Sequence, residues 1–219
     1  YFGYGGKLYK PGSAELSIQN DQGVDTLNML KALSQYMNPD FLTHDSNATN
    51  AEFRANNVAL MNMWGSRAAT MVEVDGVSQE VKDGFAIAGP MTVGSGDTSA
   101  ATLWWDGFSI AKNISDAEAE ASFIAMVHAI RPEMITDETE VQAVWLIDGY
   151  KPTAAAMGVF DAAGRKTEPY PSLPQQPLLH SALGNELSDF MQGNETAEQA
   201  LADITAAYVT AAKEKGLLN

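Results

Sequence analysis

Short apolar runs alternate along this chain with longer stretches of helical periodicity, and that alternation is the strongest constraint on its fold. Val58-Ala59-Leu60-Met61-Asn62-Met63, Phe85 to Ala88 and Phe108-Ser109-Ile110-Ala111 are each too short for a helix and read as strands. Helical stretches are predicted from a cap at Asn20 or Asp21 to about Met37, from a cap at Asn50 through Phe53, and from Ser66 to about Glu73. Further helices are predicted from Ser115 to about Ile130, Asp137 to Ile147, Gln176 to Gln192 and Thr196 to Lys215. Ser115 with Glu118, and Thr196 with Gln199, have the spacing of capping boxes, and Gly216 is a terminator. Residues 161–177 hold four prolines and read as extended. Strands alternating with helices predict an α/β fold.

Composition narrows the function. A net charge of -15 disfavours nucleic acid and anionic membrane surfaces, which would repel the chain. The absence of cysteine removes disulfides, thiolate metal sites and cysteine nucleophiles. Hydrophobic residues make up 45% of the 219, enough for a real core. No stretch approaches the roughly 18 apolar residues that span a bilayer. The chain opens on Tyr1-Phe2-Gly3 without an initiator Met, and processing or truncation is the expected reason.

Three of the four tryptophans lie in two turns, Trp64-Gly65-Ser66-Arg67 and Trp104-Trp105-Asp106-Gly107. Each sets indole rings beside a group that forms two parallel hydrogen bonds, a guanidinium in one and a carboxylate in the other. Sugar C–H faces stack on aromatic rings, and vicinal hydroxyls bridge planar Asp and Arg side chains. The bland alternative is a polar-edged core, with Arg67 and Asp106 paired to each other or to neighbours. Serine-nucleophile and phosphate-loop chemistry find no motif: Gly94-Ser95-Gly96 lacks the framing residues of both. His44 and His128 have no partners at ligand spacing, so no metal is expected.

The order of these elements resembles the C-terminal half of an extracellular solute-binding protein of carbohydrate ABC transporters, the maltose-binding-like family. Asp21-Gln22-Gly23-Val24 leading to Leu30-Lys31-Ala32-Leu33 is similar to the helix that opens this half. Glu52-Phe53-Arg54-Ala55-Asn56-Asn57-Val58-Ala59-Leu60-Met61 resembles a family segment that precedes a Gly-containing aromatic turn. Trp105-Asp106-Gly107-Phe108-Ser109-Ile110-Ala111-Lys112-Asn113 resembles the family's "Gly-Gly-x-small-Ile-x-Lys-Asn" strand, with Trp105-Asp106 departing from its first glycine. Pro171 and Pro174, followed by two helices, resemble the closing segment.

The resemblance implies a periplasmic-binding-protein type II-like α/β fold. Residues 1–108 would form the main part of the C-terminal lobe, 109–165 a segment crossing back to the N-terminal lobe, and 166–219 closing helices. It implies a sugar or polyol bound in an inter-lobe cleft, without chemistry, catalytic residues or cofactor. The implied ligand residues are Trp64, Arg67, Trp104, Trp105, Asp106 and Gly107 from the two turns, with Tyr4 and His180 from flanking segments. Strand alternation turns one of Trp104 and Trp105 inward, and Trp105 is the expected one. Arg67 also suits an anionic ligand such as a uronate. The implied partners are ABC permease membrane subunits and the missing N-terminal half of the same protein, in the periplasm or at the extracellular membrane face. A glycoside hydrolase fragment and a sugar-sensing module are the alternatives; the first lacks a second carboxylate that the sequence can place.

Overall fold

A computed structural model describes the backbone of residues 1–219 and every side chain except that of Ala69. The fold is mixed but rich in helix. Its helices are α1 (Asp21–Ser34), α2 (Ser46–Arg54), α3 (Gly65–Ala69), α4 (Gln79–Gly84), α5 (Asp116–Ala129), α6 (Met157–Gly164), α7 (Gln176–Gln192) and α8 (Ala197–Glu214). Strands β1 (Thr102–Leu103) and β2 (Glu168–Pro169) pair in a two-stranded sheet. The chain divides into two compact units. The first is Tyr1–Asp45, Met91–Thr102 and Arg165–Asn219; the second is Ser46–Pro90 and Leu103–Gly164. Residues 1–108 thus contribute to both, while 166–219 fall wholly in the first.

The first unit is built on α8. Ala197, Ala200, Leu201, Ile204, Tyr208 and Ala212 recur at helical spacing and are all buried. They pack with Leu179, Ala182 and Phe190 of α7 and with Leu27 of α1. Gly23 lets α1 approach closely, since a Cβ there would lie 2.1 Å from the Ile18 carbonyl oxygen and 3.0 Å from Leu201 Cδ1. Helix α7 stops at Gly193, whose φ of 86° is left-handed; Gly193 N–H bonds the Phe190 carbonyl and Asn194 N–H that of Asp189. Lys31 Nζ donates to the Met191 carbonyl in the same last turn. Gly216 ends α8 in the same way, with N–H groups of Gly216 and Leu217 on the carbonyls of Lys213 and Ala212. The N-terminal segment is tied down by polar contacts. Tyr208 OH donates to the Ala14 carbonyl at 2.5 Å, and Tyr9 OH to Gln176 Oε1 at 2.7 Å. Burial pushes the Tyr9 phenol well up, and the neighbouring Tyr208 and Tyr170 add to it.

The second unit has a smaller interior, with Met71, Val72, Val81, Ala156 and Ala162 its buried apolar residues. Phe53 and Phe85 meet edge to face at 5.9 Å between ring centroids. Gly158 of α6 lies against residues 87–88, where a Cβ would come within 2.8 Å of the Ala88 carbonyl oxygen.

Helices whose caps are written in the sequence form as expected. Asn20 Oδ1 accepts from Gly23 N–H, and the Ser115/Glu118 box closes in both directions. Thr196 accepts from Gln199 N–H, but the Gln199 amide turns to Asp203, so only half of that box forms. The expected strands at 58–63, 85–88 and 108–111 do not form. Phe85 and Ile87 are half-buried while Ala86 and Ala88 are exposed, so the strand alternation survives without a hydrogen-bonded neighbour. Residues 58–63 are not buried either, and Leu60 is 88% exposed. The expected helix from Asp137 to Ile147 is instead a set of turns. The Thr139 carbonyl, which a helix would give to residue 143, accepts from Gln142 N–H and from Trp145 Nε1. Helix α1 ends at Ser34, with tighter bonds from Tyr36 to Leu33 and from Met37 to Ser34 beyond it. Asn50 lies inside α2, and Ser66 inside α3, so neither is a cap. Helices α4 and α6 were not expected; Ser78 caps the first through Val81 N–H.

Two predictions follow from the packing. Ile204→Ala removes a fully buried side chain and should cost about 2–5 kcal/mol in chemical denaturation, whereas Phe123→Ala on α5, 60% exposed, should change stability by less than about 0.5 kcal/mol. Hydrogen bonds from the Ser115 hydroxyl and backbone hold the Glu118 carboxyl below its ordinary value. The cap therefore contributes fully above the unfolded-state Glu pKa and is lost as pH falls through the folded-state value. Ser115→Ala removes the hydroxyl bond but keeps the backbone one, so it should raise the Glu118 titration, followed by NMR, part of the way towards the ordinary range and reduce this acid-side loss.

Candidate functional site

The first aromatic turn is placed by α3 and α6. Gly65 opens α3 against Val159, and a Cβ there would sit 2.4 Å from Val159 Cγ2. The Trp64 carbonyl accepts from Arg67 N–H at 3.0 Å and Ala68 N–H at 2.9 Å, which fixes the ring and the guanidinium on one short turn. The Arg67 Cζ lies over the Trp64 ring, 5.7 Å from its centroid. Its Nη1 donates to Ser46 Oγ at 2.6 Å and to Asn47 Oδ1 at 2.9 Å, in the first turn of α2. Asn50 follows on the same face of α2. It is buried, and its Oδ1 has no partner among the described residues. Trp64 is 61% exposed.

The second turn leaves β1. Trp104 is 53% and Trp105 56% exposed, so the expected inward placement of Trp105 does not hold. The strand stops at Leu103, and without a ladder to continue it nothing forces successive side chains to opposite faces. Trp104 Nε1 donates to Asp106 Oδ1 at 3.0 Å, so indole and carboxylate are held together within three residues. Gly107 has a negative φ and open space at its Cβ position, so the turn itself does not demand glycine there. Arg67 and Asp106 each pair with neighbours, and no ion pair joins them among the described residues.

All six predicted ligand residues of the two turns belong to the second unit. Tyr4 and His180 belong to the first. Tyr4 is half-buried at the end of a single 3-10 turn, its N–H on the Tyr1 carbonyl. His180 is exposed on α7, beside Tyr170, whose hydroxyl lies 2.9 Å from Nε2 with ring centroids 5.6 Å apart. His128 sits with Arg131 at the end of α5, 3.1 Å separating Nε2 from Arg131 Nη2. Among the described residues no cluster of His, Asp and Glu is arranged to hold a metal ion, and no helix is long and apolar enough to cross a membrane.

Sequence reasoning missed two features of the site. One is the anchoring of Arg67 by Ser46 and Asn47, some twenty residues upstream, which no local pattern signals. The other is Tyr170 beside His180. A cavity of about 430 Å³ in the first unit, between the N-terminal ends of α1 and α8, contains none of the predicted site residues. No protein-family model matches the chain, and no curated protein matches it in sequence.

Indole emission tests this placement directly. With Trp64, Trp104 and Trp105 exposed and Trp145 half-buried, with its N–H on the Thr139 carbonyl, acrylamide should quench most of the emission. Trp145→Phe should shift the remaining spectrum to the red.

Proposed function

We propose that this chain is the carbohydrate-binding component of an ABC import system, holding a sugar or polyol by stacking and hydrogen bonding and performing no chemistry on it. The observation that carries the reading is the pair of exposed indole platforms, each with its own planar polar group: Trp64 with Arg67, and Trp104 with Asp106. Three exposed tryptophans in eight turn positions are costly to leave in water, and a ligand with C–H faces is the occupant that uses both ring and polar group.

The ordered resemblance to maltose-binding-like proteins supports a type II periplasmic-binding architecture, with this chain as its C-terminal half. On that reading residues 1–108 and 166–219 belong to the C-terminal lobe and 109–165 to the crossing segment. The partners are then the permease subunits and the N-terminal half, and the place of action is the periplasm or the extracellular membrane face. Tyr4 and His180 are the proposed flanking contacts.

Titrating the intrinsic tryptophan fluorescence with neutral mono-, di- and oligosaccharides and polyols tests the reading. The expected result is a saturable shift with one class. Trp64→Ala and Trp104→Ala should each weaken that binding by about 2- to 12-fold from the ring contact alone. Release of a cleaved or otherwise altered sugar on prolonged incubation would overturn the binding-only reading.

A further inference from the structure

The guanidinium of Arg67 has one edge occupied and one open. Nη1 spends both its N–H groups on Ser46 Oγ and Asn47 Oδ1. Nε and Nη2, with three N–H groups between them, meet no acceptor among the described residues. Both acceptors that Arg67 does use are neutral, so no ion-pair partner meets its charge among the described residues, whereas Lys7, Lys10 and Lys166 pair with Glu168, Glu15 and Asp97. The two anchoring bonds and the Trp64 ring under Cζ fix the plane of the guanidinium, so its open edge is presented in one orientation.

An Nε/Nη2 edge matches the two oxygens of a carboxylate in a bidentate pair. From these observations we infer that the ligand of this turn is an acidic saccharide of the hexuronate class, its carboxylate on the open edge of Arg67 and its ring against the exposed Trp64 indole. In a hexuronate the carboxylate is bonded directly to the pyranose ring, so charge and C–H face are as close together as guanidinium and indole are here. A single uncompensated guanidinium balances one negative charge. A phosphate dianion would carry a second into a molecule of net charge -15, and no second cation is held at this turn among the described residues.

This inference rests on the sugar-binding reading and narrows it to an acidic ligand. Calorimetric titration of the wild-type chain, Arg67→Gln and Arg67→Lys with D-glucuronate, D-galacturonate, their neutral parent hexoses and glucose 6-phosphate tests both. Wild type should bind a uronate about 10- to 100-fold more tightly than its parent hexose, the range of a charge-assisted hydrogen-bonded pair. Arg67→Gln should weaken uronate binding far more than hexose binding and so abolish that ratio, and Arg67→Lys, with charge but no fork, should restore only part of it. Circular dichroism confirms that each variant is folded. If Gln at this position unfolds the chain, the Lys variant alone must still lower the ratio. Equal affinity for hexose and uronate, an unchanged ratio in either folded variant, or tighter binding of the sugar phosphate overturns the acidic-ligand inference and leaves the sugar reading standing. No binding of any saccharide by folded wild type overturns the sugar reading itself, and this inference with it.

Discussion

The apolar stripe of α8 is the interaction on which the first unit depends. Ile204 and Tyr208 have no exposed surface, and Ala200 and Ala212 have none either, so the small residues let α7 and α1 come close while the large ones fill the space between. The same helix also holds the N-terminal segment, because Tyr208 carries its hydroxyl out of the core to the Ala14 carbonyl. A buried tyrosine needs such a partner, and here the partner lies 194 residues away in sequence. Closing so long a loop is unfavourable on entropic grounds. The apolar stripe must therefore form for the phenol to find its acceptor, and the phenol in turn fixes where residues 14–18 run.

The second unit has no equivalent stripe. Helix α5 buries none of its residues although Phe123, Ile124 and Val127 lie on it. Its local order comes from its capping box rather than from packing. The aromatic turns share this character. Trp64 and Arg67 are joined through backbone and ring contacts within one turn, and Trp104 and Asp106 through a bond across two residues. Local hydrogen bonding, not a core, sets their geometry, and this lets indole rings remain exposed in a fixed arrangement.

What the sequence made legible follows the same division. Caps are local, and the helices announced by Asn20, Ser115 and Thr196 were readable because side-chain acceptor and backbone donor are three residues apart. The end of α8 at Gly216 was readable for the same reason. Strands are not local: Phe85 to Ala88 has the right alternation, but a strand needs a neighbour, and no run length reveals whether one arrives. The turns were visible as composition, yet their geometry depended on facts the sequence hides. Trp105 faces out because β1 ends two residues before it. Arg67 is oriented by Ser46 and Asn47, and Gly65 lets α3 approach Val159 closely. That dependence on a distant helix is the one part of the site that is not local.

The two turns differ in what they leave for a ligand. Asp106 already accepts a hydrogen bond from the Trp104 indole through Oδ1, so its charge is partly used in holding the ring, and its second oxygen remains an acceptor suited to a hydroxyl. Arg67 is held by neutral oxygens, which orient it without cancelling its charge. A neutral sugar would draw on both groups as ordinary hydrogen-bond partners and leave the Arg67 charge uncompensated. A carboxylate attached to the sugar ring gives that charge a counterpart on the one edge still open, while the ring hydroxyls remain free to seek acceptors. On the proposed sugar-binding reading, the asymmetry between a guanidinium anchored by neutral groups and a carboxylate engaged by an indole is the reason an acidic saccharide fits this surface better than a neutral one.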